Sequence, residues 1–377
     1  MKSQHFKLIL LTLFAVTLCQ IGFAQTDDQS NGAYREVYIN KSWKRLDKNK
    51  DGQFTEEDNK RLWKHLNRFD SNEDNQVSFE EYVSKAHVPY LKTGGKRKLN
   101  VLYKVTDEED LYLDIYYPIA AKKGEKLPVV IYTHGGGWAA GSRHGAANAS
   151  FKTVHTALLE KGFCVVPISY RLWEKGGEVT MRDCVIDSKD ALRYLSKHSE
   201  ALGIDSNRFF SFGDSAGGHI AQMLLLTAPE SLKGDSSLAD YTYKMKAGVS
   251  WYGPCDFERT SLFNHDDRAD FKDRFGPRII KPSTKPEDKL SLYREMSPVN
   301  YIDKNSAPLL MIQGDKDTTI PVKHAYYMQK KAKEMGASLT TLIINNAGHN
   351  WRRVEANIEP TREEIIQKTI DYFIVNM

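Results

Sequence analysis

The sequence predicts an α/β fold, a mostly parallel eight-stranded sheet with helices on both faces, preceded by a small all-α module. Three observations lead there. From residue 99 onward, short apolar runs alternate with helical patterns, which argues for a parallel sheet covered on both sides. The chain is 377 residues long, 41% hydrophobic and 27% charged, enough for one large core and a smaller module. Before residue 99 the character changes: residues 40–88 are charged and carry no comparable strand run.

The strand candidates are Leu99–Val105, Leu111–Tyr117, Pro128–Thr133, Phe163–Tyr170, Phe209–Gly213, Ala247–Tyr252, Leu309–Gln313 and Thr340–Ile344. Helix candidates are Ala147–Lys161, Met181–His198, Ala216–Thr227, Val322–Met335 and Thr361–Ile374. The expected organisation is an export segment over 1–24, a flexible polar lead over 25–39, a module over 40–88, a linker over 89–98 and a large domain over 99–377. Lys2 and Lys7 precede the apolar run Leu8–Ala15, and Gly22-Phe23-Ala24 supplies a small-x-small cleavage site before Gln25. Secreted or periplasmic placement is therefore expected, with no stable membrane anchor. Net charge is +4, and cleavage would leave 51 basic against 49 acidic residues. With no basic stripe interleaved with aromatics, a nucleic-acid partner is not expected. Oligomeric state is not legible.

Gly213-Asp214-Ser215-Ala216-Gly217 lies between an apolar strand candidate and a helix candidate. A G-x-S-x-G in that context is a sharp turn that lifts a serine hydroxyl clear of the backbone. Acyl transfer also needs a base, a group that orients the base, and donors for the oxyanion, in the chain order Ser, acid, His. Asp317, in a loop after Leu309–Gln313, is the expected acid; Asp315 is the rival, better suited to a local turn bond. His349, in Ala347-Gly348-His349 after the last strand, is the expected base. His134-Gly135-Gly136-Gly137-Trp138 follows a strand immediately, so Gly136 and Gly137 can present backbone N–H groups, with Ala216 as the partner donor. His134 is expected to brace that loop. The long connection 255–307 is a candidate wall of the substrate pocket.

With these motifs, residues 99–377 resemble the α/β-hydrolase esterases, and are most similar to bacterial bifunctional feruloyl/acetyl-xylan esterases and carboxylesterases. Tyr132 to Trp138, Tyr170-Arg171-Leu172, Gly213 to His219, Trp251-Tyr252-Gly253-Pro254 and Ser297-Pro298 carry the resemblance. It implies a serine esterase acting on short acyl or hydroxycinnamoyl esters, small or on acylated carbohydrate, with Ser215, Asp317 and His349 as triad and Gly136, Gly137 and Ala216 as oxyanion donors. No cofactor is expected for catalysis. Other readings are a prolyl-oligopeptidase-like exopeptidase of the same fold and a non-catalytic calcium-dependent binding protein on a hydrolase scaffold.

In the small module, Asp47 to Asp58 has the spacing of a calcium loop: Asp47, Asn49 and Asp51 at positions 1, 3 and 5, Gly52 at the turn, Gln53 through its backbone and Asp58 at position 12. Asp70 to Glu81 repeats it with Asp70, Asn72, Asp74, Gln76 and Glu81, Asn75 standing for the glycine. The module resembles a paired EF-hand, with structural Ca2+ as the expected ligand and one helix between the loops. Cys164 reads as a buried thiol, while Cys184 and Cys255 could pair in an oxidising compartment.

Overall fold

The computed structural model describes residues 29–122 and 124–377; the expected export segment and residues 25–28 of the lead lie outside the described residues. The chain divides into two compact units between Val88 and Pro89.

The first unit contains α1 (Gln29–Leu46), β1 (Gln53–Phe54), α2 (Lys60–Leu66), β2 (Val77–Ser78) and α3 (Phe79–Lys85). The lead expected to be flexible is helical from Gln29. Its anchor lies further along: Ile39 and Trp43, four residues apart on one helix face, bury against Phe54, Phe69, Val77 and Tyr82. Arg35 then ties α1 to the end of α3 by donating to Val83 O at 2.7 Å and Ala86 O at 3.0 Å. Strands β1 and β2 pair antiparallel, setting Phe54 opposite Val77. Helix α2, capped by the Asn59 side chain on Leu62 N and extended by a 3-10 turn over Asn67–Phe69, joins the two loops, as expected.

The second unit is built on β3 (Arg97–Val105), β4 (Asp110–Tyr116), β5 (Leu127–Thr133), β6 (Cys164–Ile168), β7 (Ile204–Asp214), β8 (Met245–Trp251), β9 (Leu309–Gly314) and β10 (Leu339–Ile344). They form one sheet in the order β10-β9-β8-β7-β5-β6-β4-β3. Pairing is parallel from β6 through β10 and antiparallel at β3–β4 and β4–β6. The helices are α4 (Ala149–Glu160), α5 (Met181–Lys197), α6 (Ser199–Leu202), α7 (Ala216–Leu226), α8 (Lys289–Glu295), α9 (Lys323–Met335) and α10 (Arg362–Val375). The pleat of β5 explains the layers. Val129 and Ile131 enter one cluster with Cys184, Val185 and Leu192 of α5 and Met223 of α7. Val130 and Tyr132 enter another with Val154 and Leu158 of α4 and Ile365 and Phe373 of α10. Every residue of β5 is buried, which suits a strand covered on both faces.

Two sequence boundaries shift. The linker over 89–98 already pairs as strand from Arg97, opposite Tyr116. The connection 255–307 is not bare loop: it holds several 3-10 turns and α8, and buries Phe257, Phe263, Phe275 and Ile279. Cys164, Cys184 and Cys255 are all buried free thiols. The Cys184 thiol donates to Arg171 O and Thr180 O, and the Cys255 thiol to His324 O, so the possible Cys184–Cys255 bridge is not formed. Among the described residues no helix is long and apolar enough to cross a membrane.

Three buried histidines predict acid sensitivity. Burial holds His155 and His219 down at about 4 and His324 at about 3. Unfolded histidine takes a proton near pH 6.5, so their contribution is present above that pH and is lost as pH falls towards 4. Each removes up to about 1.4 kcal/mol per pH unit in that window. Calorimetry between pH 7 and 4.5 is expected to show a steadily falling melting temperature; a flat profile would overturn this.

Candidate active site

Ser215 sits at the tip of β7, with φ 52° and ψ −117°, a left-handed backbone conformation that non-glycine residues seldom adopt. The turn is held where it bends: Ser215 N donates to Trp251 O at 2.9 Å, and Ser215 O accepts from His219 N at 3.0 Å. Glycines make the bend possible. A Cβ on Gly213 would overlap Gly217 O, and one on Gly217 would overlap Thr133 O. The strand end, the helix start and the end of β5 therefore touch through backbone alone.

The acid and the histidine come from adjacent strand ends. Strands β9 and β10 pair with Gly314 opposite Ile344. Asp315 N donates to Ile344 O and Lys316 N to Ala347 O, each at 3.0 Å, and a Cβ on Gly314 would overlap Ala347 O. This close approach sets Asp317 Oδ2 2.7 Å from His349 Nδ1, and His349 Nε2 3.0 Å from Ser215 Oγ. Asp315, the rival acid, is not on the histidine. A carboxylate only accepts, so Nδ1 carries the imidazole proton and Nε2 is left to accept from the serine hydroxyl. The Asp317 side chain is fully buried, and His349 is 18% exposed. Asp317 is itself held: Oδ1 accepts from Thr319 N at 2.8 Å and Ile320 N at 2.9 Å, and Oδ2 accepts from Gln313 Nε2 at 3.1 Å.

Gly136 and Gly137, at φ +123° and +62°, line a cavity of about 330 Å³ together with Trp138, Ser215 and His349. Ala216 is buried at the start of α7. His134 braces the loop, its ring stacked on Tyr170 at 4.3 Å and its carbonyl taking the Tyr170 hydroxyl.

Sequence reasoning missed five contributing residues. Asp214 welds the glycine loop to the serine turn: its Oδ1 accepts from Gly135 N at 2.9 Å and from Tyr132 Oη at 3.0 Å. Burial pushes this carboxyl up to about 6, while the bonds from Tyr132 and Gly135 pull the other way. Its position inside the serine motif was the available signal. Gln313 orients Asp317. From the 255–307 connection, Arg274, Phe275 and Arg278 line the cavity, as that connection's expected role as a wall requires. The run Arg274-Phe275-Gly276-Pro277-Arg278 was the hint.

In the small module the two loops are near copies. Asp47 accepts from Asp51 N and Gly52 N; Asp70 accepts from Asp74 N and Asn75 N. The twelfth positions differ. Glu81 reaches back over its loop, with Oε1 on Ser71 N and Oγ and Oε2 on Ser78 N and Oγ. Those bonds, Ser78 N foremost, hold its carboxyl down at about 2. Asp58 is shorter and stays on Thr55. Among the described residues no group of three or more His, Cys, Asp or Glu side chains is gathered as a metal cage. The Asp and Asn oxygens nevertheless keep unused lone pairs, and the all-oxygen donor set suits a hard cation.

A mostly parallel eight-stranded sheet, with a serine at the tip of one strand and an acid and a histidine beyond later ones, defines an α/β-hydrolase fold. Residues 113–332 match the BD-FAE family, and the chain belongs to it. Two curated proteins of Mycobacterium tuberculosis are similar. The probable carboxylic ester hydrolase LipM is 29% identical over 52% of this chain and 43% of its own length. Esterase LipC is 28% identical over 63% of this chain and 57% of its own. The chain thus spans about half the length of these relatives. Among solved structures, native esterase 2 of Thermogutta terrifontis superposes with a TM-score of 0.59 at 23% identity, covering 78% of this chain and 95% of that one, a likeness of fold.

Proposed function

We propose that this protein is an exported serine carboxylic ester hydrolase acting on short acyl or hydroxycinnamoyl esters, including those on carbohydrates. The observation that carries the reading is the hydrogen-bond chain Ser215–His349–Asp317 opening on a glycine-lined cavity. The names of LipM and LipC support the same reaction class. In this mechanism Ser215 Oγ attacks the ester carbonyl as His349 Nε2 takes its proton. The oxyanion is met by the N–H groups of Gly136, Gly137 and Ala216. His349 then protonates the leaving alcohol, and water, deprotonated by the same nitrogen, releases the acid from Ser215. Asp317 stabilises the imidazolium throughout.

The test is p-nitrophenyl acetate turnover together with fluorophosphonate labelling. Turnover and mass-spectrometric labelling of Ser215 are expected; an unlabelled Ser215 in folded, inactive protein would sink the reading. Acetylated and feruloylated polysaccharides then resolve the acyl class. Gly136→Ala is expected to lower kcat by about 10²- to 10³-fold, because its Cβ overlaps Ala140 O and turns the loop N–H groups away. Unchanged kcat would remove Gly136 from the oxyanion site.

For the first unit we propose structural Ca2+ binding through Asp47, Asn49, Asp51, Gln53 and Asp58, and through Asp70, Asn72, Asp74, Gln76 and Glu81. The repeated loop geometry supports it. Adding calcium to chelator-treated protein is expected to raise the module's melting temperature, and Glu81→Gln to shrink that shift more than Asp58→Asn. No shift would end the proposal. Export is tested by the mature N-terminus, expected at Gln25.

A further inference from the structure

Two arginines line the cavity beside Ser215 with no carboxylate of their own. The Arg278 guanidinium forms no hydrogen bond or ion pair among the described residues; it lies over the rings of Trp173 at 5.6 Å and Phe275 at 5.3 Å. It borders the glycine loop closely: a Cβ on Gly137 would lie 2.8 Å from Arg278 Nη1. Arg274 also lines the cavity, 5.0 Å from the Phe275 ring, and among the described residues its side chain donates only to the carbonyls of Thr318 and Thr319.

Asp273, Asp214 and Asp317 each hold other partners. Asp273 accepts from Phe275 N, Gly276 N and Tyr293 Oη. Asp214 holds Gly135 and Tyr132, and Asp317 holds His349. The connection 255–307 is not short of acids, with Asp266, Asp267 and Asp270 close by in sequence, and Arg268 in the same stretch is paired with Asp266. The cavity arginines are thus left unneutralised while a neighbour is not. Burial and the mutual repulsion of the two cations both weigh against Arg278's charge, so the fold bears an electrostatic cost at this wall. An anion in the cavity would relieve it, and a guanidinium is shaped to take a carboxylate through two parallel N–H bonds.

We propose that the ester substrate carries a carboxylate, received by Arg278 and Arg274 while the ester carbonyl lies at Ser215. This rests on the esterase reading and narrows its substrate class. The carboxylate can sit on the acyl side, as in a dicarboxylic half-ester, or on the alcohol side, as in an O-acylated hydroxy or sugar acid. Two matched pairs separate these sources. On the acyl side, p-nitrophenyl hemisuccinate is compared with its methyl ester. On the alcohol side, 4-acetoxybenzoate is compared with methyl 4-acetoxybenzoate. The readout is the ratio of kcat/KM for the anionic over the neutral partner.

The wild-type ratio is expected to exceed one by about 10- to 100-fold in one pair, the size of a charge-assisted bond pair. It should fall as salt rises. Arg278→Gln should bring the ratio close to one, and Arg278→Lys should restore part of it. A merely structural arginine would change both esters together and leave the ratio alone. A wild-type ratio at or below one in both pairs, or an unchanged ratio in Arg278→Gln, overturns the proposal while the esterase reading stands. Failure to hydrolyse the neutral esters as well as the anionic ones overturns both.

Discussion

Ser215→Ala is expected to lower kcat on p-nitrophenyl acetate by about 10⁴- to 10⁶-fold, and to do so without unfolding the protein. Alanine keeps the Cβ, so the strained backbone at φ 52° is neither relieved nor worsened. The turn stays tied by Ser215 N to Trp251 O and by His219 N to Ser215 O, which are backbone bonds that alanine also makes. Only the 3.0 Å bond from Oγ to His349 Nε2 is lost, about 1 kcal/mol of stability at most. The three side chains act on one proton. His349→Ala should therefore cost nearly as much as Ser215→Ala, and the double variant little more than either. Initial rates at saturating substrate, with melting curves as the folding control, make the test. A Ser215→Ala protein turning over at the wild-type rate would remove Ser215 from the chemistry. Independent, multiplying losses would show that the two residues do not share a proton.

Legibility from sequence tracked how local the physical cause was. Strand β5 was readable because a strand buried on both faces needs an unbroken apolar run, and Val129-Val130-Ile131-Tyr132 is one. The serine turn was readable because its two glycines answer a close backbone approach that nothing else tolerates. Helix α1 was misjudged at its start. Ile39 and Trp43 anchor it to the core of the first unit, and Arg35 bonds to the far end of α3, a contact which no local pattern encodes. Preferring Asp317 over Asp315 was possible from loop length. The reach of Gln313 to Asp317 was not, since it depends on the loop folding back over its own strand end. Arg274 and Arg278 stayed hidden for a related reason. In sequence they sit among acids that could neutralise them, and only the fold shows the adjacent Asp273 turned to backbone amides and a tyrosine.

Asp317→Asn should cost less than removing Ser215 or His349 but still about 10⁴-fold in kcat with little change in KM, through the wrong histidine tautomer. The geometry forces that outcome. Oδ1 of residue 317 accepts from Thr319 N and Ile320 N, so the oxygen of an asparagine must occupy that place. Its NH₂ group is then directed at His349 Nδ1 and at Gln313 Nε2, both of which are donors in the native arrangement. Gln313 cannot yield, because the same nitrogen also donates to Ile320 O at 2.7 Å. The imidazole is left to offer Nδ1 as an acceptor and carry its proton on Nε2, facing Ser215 with a donor where a base is needed. The glycine loop and the arginines lining the cavity are untouched, which is why KM should hold. Asp315→Asn is the control: that side chain is not on His349, and its loop is held to β10 by backbone bonds the substitution keeps. Steady-state kinetics on both variants decides the matter. A larger loss in Asp315→Asn than in Asp317→Asn would reverse the assignment, and near-normal kcat in Asp317→Asn would show that His349 keeps its working tautomer without the carboxylate.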